Sequence, residues 1–269
     1  MGADRSSHRP DGGVIVTSIS YAPVKGLGLV QVDEVELERT GVRENRRFHL
    51  IDVDGRLING KSAGTLVQVA AATDRDGESL SLRFPDGSVQ DGAVTLGDAV
   101  ETNFYGRPVA GRLVKGGFAG ALSQLAGRPL RLVRIDEPGD GSDRGVDGTI
   151  SALSRGSLEA IADEAGEESV DGRRFRMLFE VDGIAPHGED SWAGRRVAIG
   201  DAVVRVNGLV GRCAVTSQNP DTGVPDLSTL RVIRKYRSEI ETDEPLPFGV
   251  WGGVEAPGII RIGDAVEAL

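Results

Sequence analysis

Apolar and polar residues alternate along much of the chain with a period of two, the pattern of strands that bury one face. Residues 14–20, VIVTSIS, are β-branched and partly alternating. VQVDEVELE at 30–38 alternates and then slips phase at Asp33–Glu34, which predicts a bulge or bend there. RRFHLIDVDGRLING (46–60) predicts two strands around a DVDGR turn, and LSLRFPDGSVQ (80–90) predicts a hairpin turning on Pro-Asp-Gly. PLRLVRID (129–136), RRFRMLFEVDG (173–183) and RRVAIGDAVVRVNG (195–208) predict further strands. LGDAV at 96–100 returns as IGDAV at 199–203 and 262–266, and predicts one tight Gly-Asp corner used three times.

Helical spacing is confined to a few stretches. GFAGALSQLAG (117–127) is short and stops at Gly127. SLEAIADEAG (157–166) places Leu158, Ile161, Ala162 and Ala165 on one face and ends at Gly166. STLRVIRKYRSEI (228–240) has Ser228 as an N-cap and Leu230, Ile233, Tyr236 and Ile240 inward, leaving Arg231, Arg234, Lys235 and Arg237 to a solvated face. EPGDGSDRGVDG (137–148) is acidic and Gly-rich, and reads as a linker or mobile loop. The fold class is therefore mainly β with a few helices. Residues 1–13 form a tail expected to be disordered, followed by an N-terminal β unit over 14–115 and a second β-rich unit over 116–269.

Composition narrows the function. Aromatics are only 4%, so the core must rest on Val, Leu, Ile and Ala. No apolar run approaches the ~20 residues that cross a bilayer, and the N-terminus has no signal-peptide pattern, so no membrane partner is expected. A net charge of −10 argues against nucleic acid, whose phosphates need a basic surface. His8, His49 and His187 are too dispersed to offer a metal-binding spacing. A single cysteine excludes an internal disulfide and a typical iron–sulfur site, and points to a reducing, cytoplasmic location.

That cysteine, Cys213, lies in GLVGRCAVTSQNPDTG (208–223), at the end of an apolar run and before a turn-rich loop. It is either a small buried hydrophobe or a reactive thiolate favoured by the neighbouring Arg212. Arg173, Arg174 and Arg176 cluster, and strand alternation would put Arg174 and Arg176 on one side. Such a pair needs acids, for which Glu167, Glu168 or Asp171 are at hand, or else an anionic ligand. Lys25, Arg46 and Lys61 add cations at strand ends. Asp221 either forms the Pro-Asp-Thr-Gly turn or orients a substrate or proton.

IVTSISYAPVKGLGLVQVDEVELERTGVRENRRFHLIDVDGRLING resembles the β-barrel N-terminal domain that precedes MOSC domains. FRMLFEVDG, EDSWAGRRVAIGD, GRCAVTSQNPDTG, LRVIRKYR and APGIIRIGDAV resemble successive blocks of the MOSC domain itself. The resemblance implies a β-barrel MOSC domain packed against an N-terminal β-barrel domain. It also implies a molybdenum cofactor (Mo-molybdopterin), with Cys213 as the metal ligand and Lys25, Arg46 and Arg176 on the anionic pterin. Arg174 and Arg212 complete the cationic set, with Asp221 beside it. Relatives often carry Asp-Arg where this chain has Asn45–Arg46, Ser where it has Gly26, and Arg-Pro-Asn where Met177 and Leu178 follow Arg176. The implied activity is reduction of N-hydroxylated or other N–O small molecules by oxygen-atom transfer, with two electrons from an external donor protein. Two alternatives stay open: a cysteine-dependent sulfur-transfer or sulfur-carrier protein, and a non-catalytic carrier of the cofactor.

Overall fold

A computed structural model describes residues 12–269. The first half runs through β1 (Ile15–Tyr21), β2 (Val30–Val32), β3 (Glu34–Leu37), β4 (Phe48–Ile51), β5 (Leu57–Ile58), β6 (Ala70–Thr73), β7 (Ser79–Arg83), β8 (Val89–Ala93), β9 (Thr95–Phe104) and β10 (Arg107–Lys115). Helix α1 (Phe118–Ala126) follows, then β11 (Arg131–Ile135), β12 (Ile150–Ser154), α2 (Arg155–Ala165) and β13 (Phe179–Asp182). The chain ends with β14 (Arg196–Ile199), β15 (Ala202–Gly211), α3 (Thr229–Arg237), β16 (Pro247–Ala256), β17 (Gly258–Arg261) and β18 (Val266–Ala268). The three predicted helices are present. Gly127 and Gly166 cap the first two in the left-handed conformation, at φ 65° and 74°.

A five-stranded sheet, β5-β4-β11-β10-β9, and a three-stranded sheet, β6-β7-β8, enclose one core. Phe48, Leu50, Leu82 and Leu132 are fully buried in it, and α1 closes one end with Phe118 and Leu122. Each such side chain contributes roughly 1.5–3 kcal/mol relative to exposure. The second core lies inside an eight-stranded sheet, β18-β14-β15-β16-β12-β13-β1-β2, with β3 and β17 pairing beside it. That sheet rolls round on itself. Val16 donates its N–H to the Asp264 carbonyl (2.9 Å) and Val266 donates to Val14 (2.8 Å), bringing β1 against the chain that enters β18.

Strand pairing crosses the division at 115/116 in both directions. β1 and β2 sit in the large sheet, while β11 sits between β4 and β10. Leu132, Val133 and Ile135 are all fully buried, and a strand apolar on both faces is satisfied only inside a sheet. The phase slip at Asp33 is a change of sheet rather than a bulge, because β2 pairs with β1 and β3 with β17.

Three expectations are corrected. Residues 173–183 are not one strand. The Asp171 carboxylate accepts the Arg173 N–H (2.9 Å) and starts a 3-10 turn, Arg176 turns left-handed at φ 53°, and the strand begins only at Phe179. Residues 137–148 are not a free linker, since Arg107 donates to the carbonyls of Asp140 (2.6 Å) and Ser142 (2.7 Å) and folds the loop inward. The corner recurs twice, at Gly200 (φ 52°) and Gly263 (φ 91°), but Gly97 lies inside β9, where its carbonyl takes the Arg112 guanidinium.

Candidate functional site

Cys213 stands just past the end of β15 and begins a short 3-10 turn, Ala214–Ser217. Its side chain is exposed, so it is not a packed hydrophobe. It forms part of the wall of a cavity of ≈ 400 Å³ between the two halves of the chain, which Lys25, Arg46, Arg174, Arg176 and Arg212 also line. Lys25 follows β1, held by its N–H to the Phe48 carbonyl (2.8 Å), and Arg46 precedes β4, held likewise to Ala22 (2.7 Å). The rolled sheet supplies Arg176 and Cys213, so neither half owns the site.

The site gathers cations at a cost. Lys25 is 7% exposed, and its ammonium meets the Asp143 carboxylate and the Gly141 carbonyl. Burial, and then the Arg46 charge, lower its pKa to about 8. Burial and Arg46 likewise bring Arg176 to about 10, with its Nη2 donating to the Leu27 carbonyl (2.7 Å). Burial alone would raise the Asp143 carboxyl, but Lys25 and Arg46 outweigh it and hold the group well below the carboxylate range. Arg46 Nη1 lies 3.7 Å from that carboxylate.

Arg212 and Arg174 line the cavity with most of their donors engaged, though Arg174 Nε is buried without a partner among the described residues. Arg212 points into the fold, donating to the carbonyls of Phe248 (Nε, 2.8 Å) and Phe175 (Nη1, 3.0 Å) and to Met177 Sδ (3.0 Å). Burial first, and then Arg144, lower its pKa to about 9. Its guanidinium is thus taken up by the Phe175 and Phe248 backbone rather than lying bare beside the thiol. Arg174 pairs with Asp226 (2.6 and 3.0 Å) and donates to the Gln218 carbonyl (2.8 Å). Arg173 is held by Asp171 and Asp221, whereas Arg176 forms no ion pair among the described residues. The anion reading of the arginine cluster therefore narrows to Arg176. Asp221 does not join Cys213: it lines an adjoining cavity of ≈ 320 Å³ that shares Arg174 and Arg176, and Arg173 grips it at 2.8 and 3.1 Å.

Five described non-glycine residues have positive φ, and three of them line the Cys213 cavity: Arg46 (53°), Tyr105 (54°) and Arg176 (53°). Such backbone costs about 1–3 kcal/mol per residue and gathers where geometry serves a site. A fourth, Leu246, accepts the Arg212 N–H at 3.2 Å. Two residues of the wall, Tyr105 and Asp143, escape a reading of the sequence. Of the two-residue loop Tyr105-Gly106 between β9 and β10, only the glycine matches the preferences of such a hairpin turn. Neither His49 nor His187 lines the Cys213 cavity. Burial, and then Lys25, lower His49 to about 3, and burial and then Arg237 lower His187 to about 4; His8 lies outside the described residues. No cluster of three His, Cys, Asp or Glu side chains suited to a metal occurs among the described residues.

The family model described as MOSC domain matches residues 139–267, and that described as MOSC N-terminal beta barrel domain matches residues 13–110. The chain belongs to the MOSC family. Mitochondrial amidoxime-reducing component 1 of Xenopus laevis is 28% identical, over 94% of this chain and 81% of its own length. The Homo sapiens protein of that name is 26% identical, over 94% and 82%. The YUAD protein of Bacillus subtilis aligns over 96% of both chains at 14% identity and a TM-score of 0.45, too distant to carry an argument. No helix among the described residues of this MOSC protein is long and apolar enough to cross a membrane. Its donor set suits an anionic ligand with a thiolate-binding metal: Lys25, Arg46 and Arg176 outnumber Asp143, Arg144 takes the other lining carboxylate, Glu244, and the thiol is open to the same space.

Proposed function

We propose that this MOSC protein is a molybdenum-cofactor reductase of N-hydroxylated small molecules that draws electrons from an external donor protein. The observation that carries the reading is the exposed Cys213 thiol on a cavity ringed by Lys25, Arg46 and Arg176. The named activity of the amidoxime-reducing relatives, aligned over 94% of the chain, supports the substrate class. When bound, the molybdenum–pterin group supplies a two-electron centre that accepts an oxygen atom from an N–O bond. Cys213 would hold the metal through its thiolate, which a soft or high-valent ion prefers. Lys25, Arg46 and Arg176 would grip the anionic pterin, and the two guanidiniums can do so bidentately. Arg212, next to the thiol in sequence, ties its own segment to the Phe175 and Phe248 carbonyls.

The test is elemental analysis of protein made in a host that synthesises the pterin, followed by assay with amidoximes and hydroxylamines and an artificial electron donor. Stoichiometric molybdenum, lost in Cys213→Ser, together with turnover, is expected. A labile sulfur on Cys213 without molybdenum would replace the reading by sulfur transfer, and bound molybdenum without turnover would replace it by cofactor carriage.

A further inference from the structure

Residue 105 is an odd place for a tyrosine. With Gly106 (φ 100°) it forms the whole two-residue loop between β9 and β10, where Phe104 faces Arg107. Both loop positions have positive φ, a conformation that glycine and asparagine adopt readily and an aromatic residue does not. The ring also gains little from burial there, since Tyr105 is 64% exposed. The fold is thus worse off for this side chain, and an explanation must lie in what the ring faces.

It faces the cavity. Tyr105 lines the same space as Cys213, from the opposite half of the chain. Its position is fixed by a short run of bonds that spans the two halves. Asn59 Nδ2 donates to Tyr105 Oη (3.3 Å), and Gln218 Nε2, in the loop after Cys213, donates to the Gly60 carbonyl (2.7 Å). The phenol oxygen accepts from Asn59, while its own proton has no acceptor among the described residues. Partial desolvation first, and then the Asp143 charge, raise its pKa, so the group stays a neutral donor.

We propose that Tyr105 is a substrate-binding, specificity-determining residue of the site. Its ring offers a stacking face to a flat, conjugated N-hydroxylated compound such as an aryl amidoxime, and its hydroxyl donates to the substrate's N–O oxygen. This rests on the reductase reading above. Aromatic faces stack in offset geometry on planar π systems, so the preference it imposes is for flat substrates over compact ones such as hydroxylamine.

The experiment compares wild type, Tyr105→Gly and Tyr105→Phe, each loaded with cofactor, on an aryl amidoxime and on hydroxylamine. In Tyr105→Gly the ratio of kcat/KM between the aryl compound and hydroxylamine should fall about tenfold, mostly through KM. Its Tm should be equal or higher, because the left-handed backbone is relieved. Tyr105→Phe, which keeps the ring but not the hydroxyl, should fall between the two. An unchanged ratio in Tyr105→Gly, or a lower Tm with both substrates impaired equally, overturns the inference. If wild type turns over neither compound, the reductase reading fails, and calorimetric titration of the aryl amidoxime into the same proteins decides the matter separately. About tenfold weaker binding to Tyr105→Gly upholds the inference; equal binding, or none to wild type, overturns it.

Discussion

Lys25 shows what the site asks of a single residue. Its pKa of about 8 lies below its ordinary 10.5, so the native state loses this proton before the unfolded chain does. Between those values the unfolded chain binds more protons, and stability rises with pH; below about 8 the buried ammonium weighs against the fold in full. An anion on the ammonium favours the charged form, so its affinity falls as pH climbs through 8. Sulfate, titrated calorimetrically into cofactor-free protein, should bind about tenfold more weakly at pH 9 than at pH 7, and Lys25→Arg should reduce that change to less than about twofold. A wild-type affinity flat across this range would remove Lys25 from the anion site. At this scale Cys213, Lys25, Arg46 and Arg176 were legible through their motif blocks, and their convergence fits the expected anion site. Asp143 was not legible, because a Gly-rich acidic run has no periodicity to say which carboxylate turns inward. Tyr105 was hidden because an aromatic residue runs against the preferences of the turn it occupies.

Elements carry the residues to their places, and here alternation was a good guide except where a side chain interrupts it. Asp171 ends the expected strand by capping a turn, which is why Arg174 and Arg176 reach one cavity without sharing a strand face. Helix α3 gives the second exception. Its apolar stripe was readable, but Arg237, assigned to the solvated side, is 3% exposed. It donates to the Pro247 carbonyl (2.8 Å) and to Asp190 Oδ2 (2.5 Å), and so secures the start of β16, next to the Phe248 carbonyl that Arg212 uses. A periodicity argument sends every charge outward and cannot see a buried pair. Arg237→Met should lower stability by about 3–5 kcal/mol in urea denaturation, since Asp190 loses its partner in a partly buried place. Arg237→Met with Asp190→Leu should recover most of that loss; if the double variant is no more stable than the single one, the pair is not the cause.

The whole molecule joins two main cores, besides smaller apolar clusters such as the one under α2 and α3. The presence of both was legible, because each half carries its own run of alternating strands, but which strand joins which sheet was not, since long-range pairing leaves little local trace. β1 supplies Val16 and Ile19 to the core of the other half, and β11 returns to the first. Residues 116–269 expressed alone should therefore give no cooperative thermal transition by circular dichroism, whereas the full chain should; a sharp melt of the fragment would show that β1 is dispensable. The seam between β1 and the approach to β18 joins residues 14–16 to residues 264–266, almost the whole described length apart. A ribosome makes the first of these long before the last. Until synthesis reaches residues 264–266, that edge of the nascent sheet stays open, so closure of the sheet waits on these late residues. A chain stalled or clipped shortly before residue 264 would carry the complete cavity wall in sequence yet leave the start of β1, at residues 14–16, unpaired along one edge, a template for pairing with other chains.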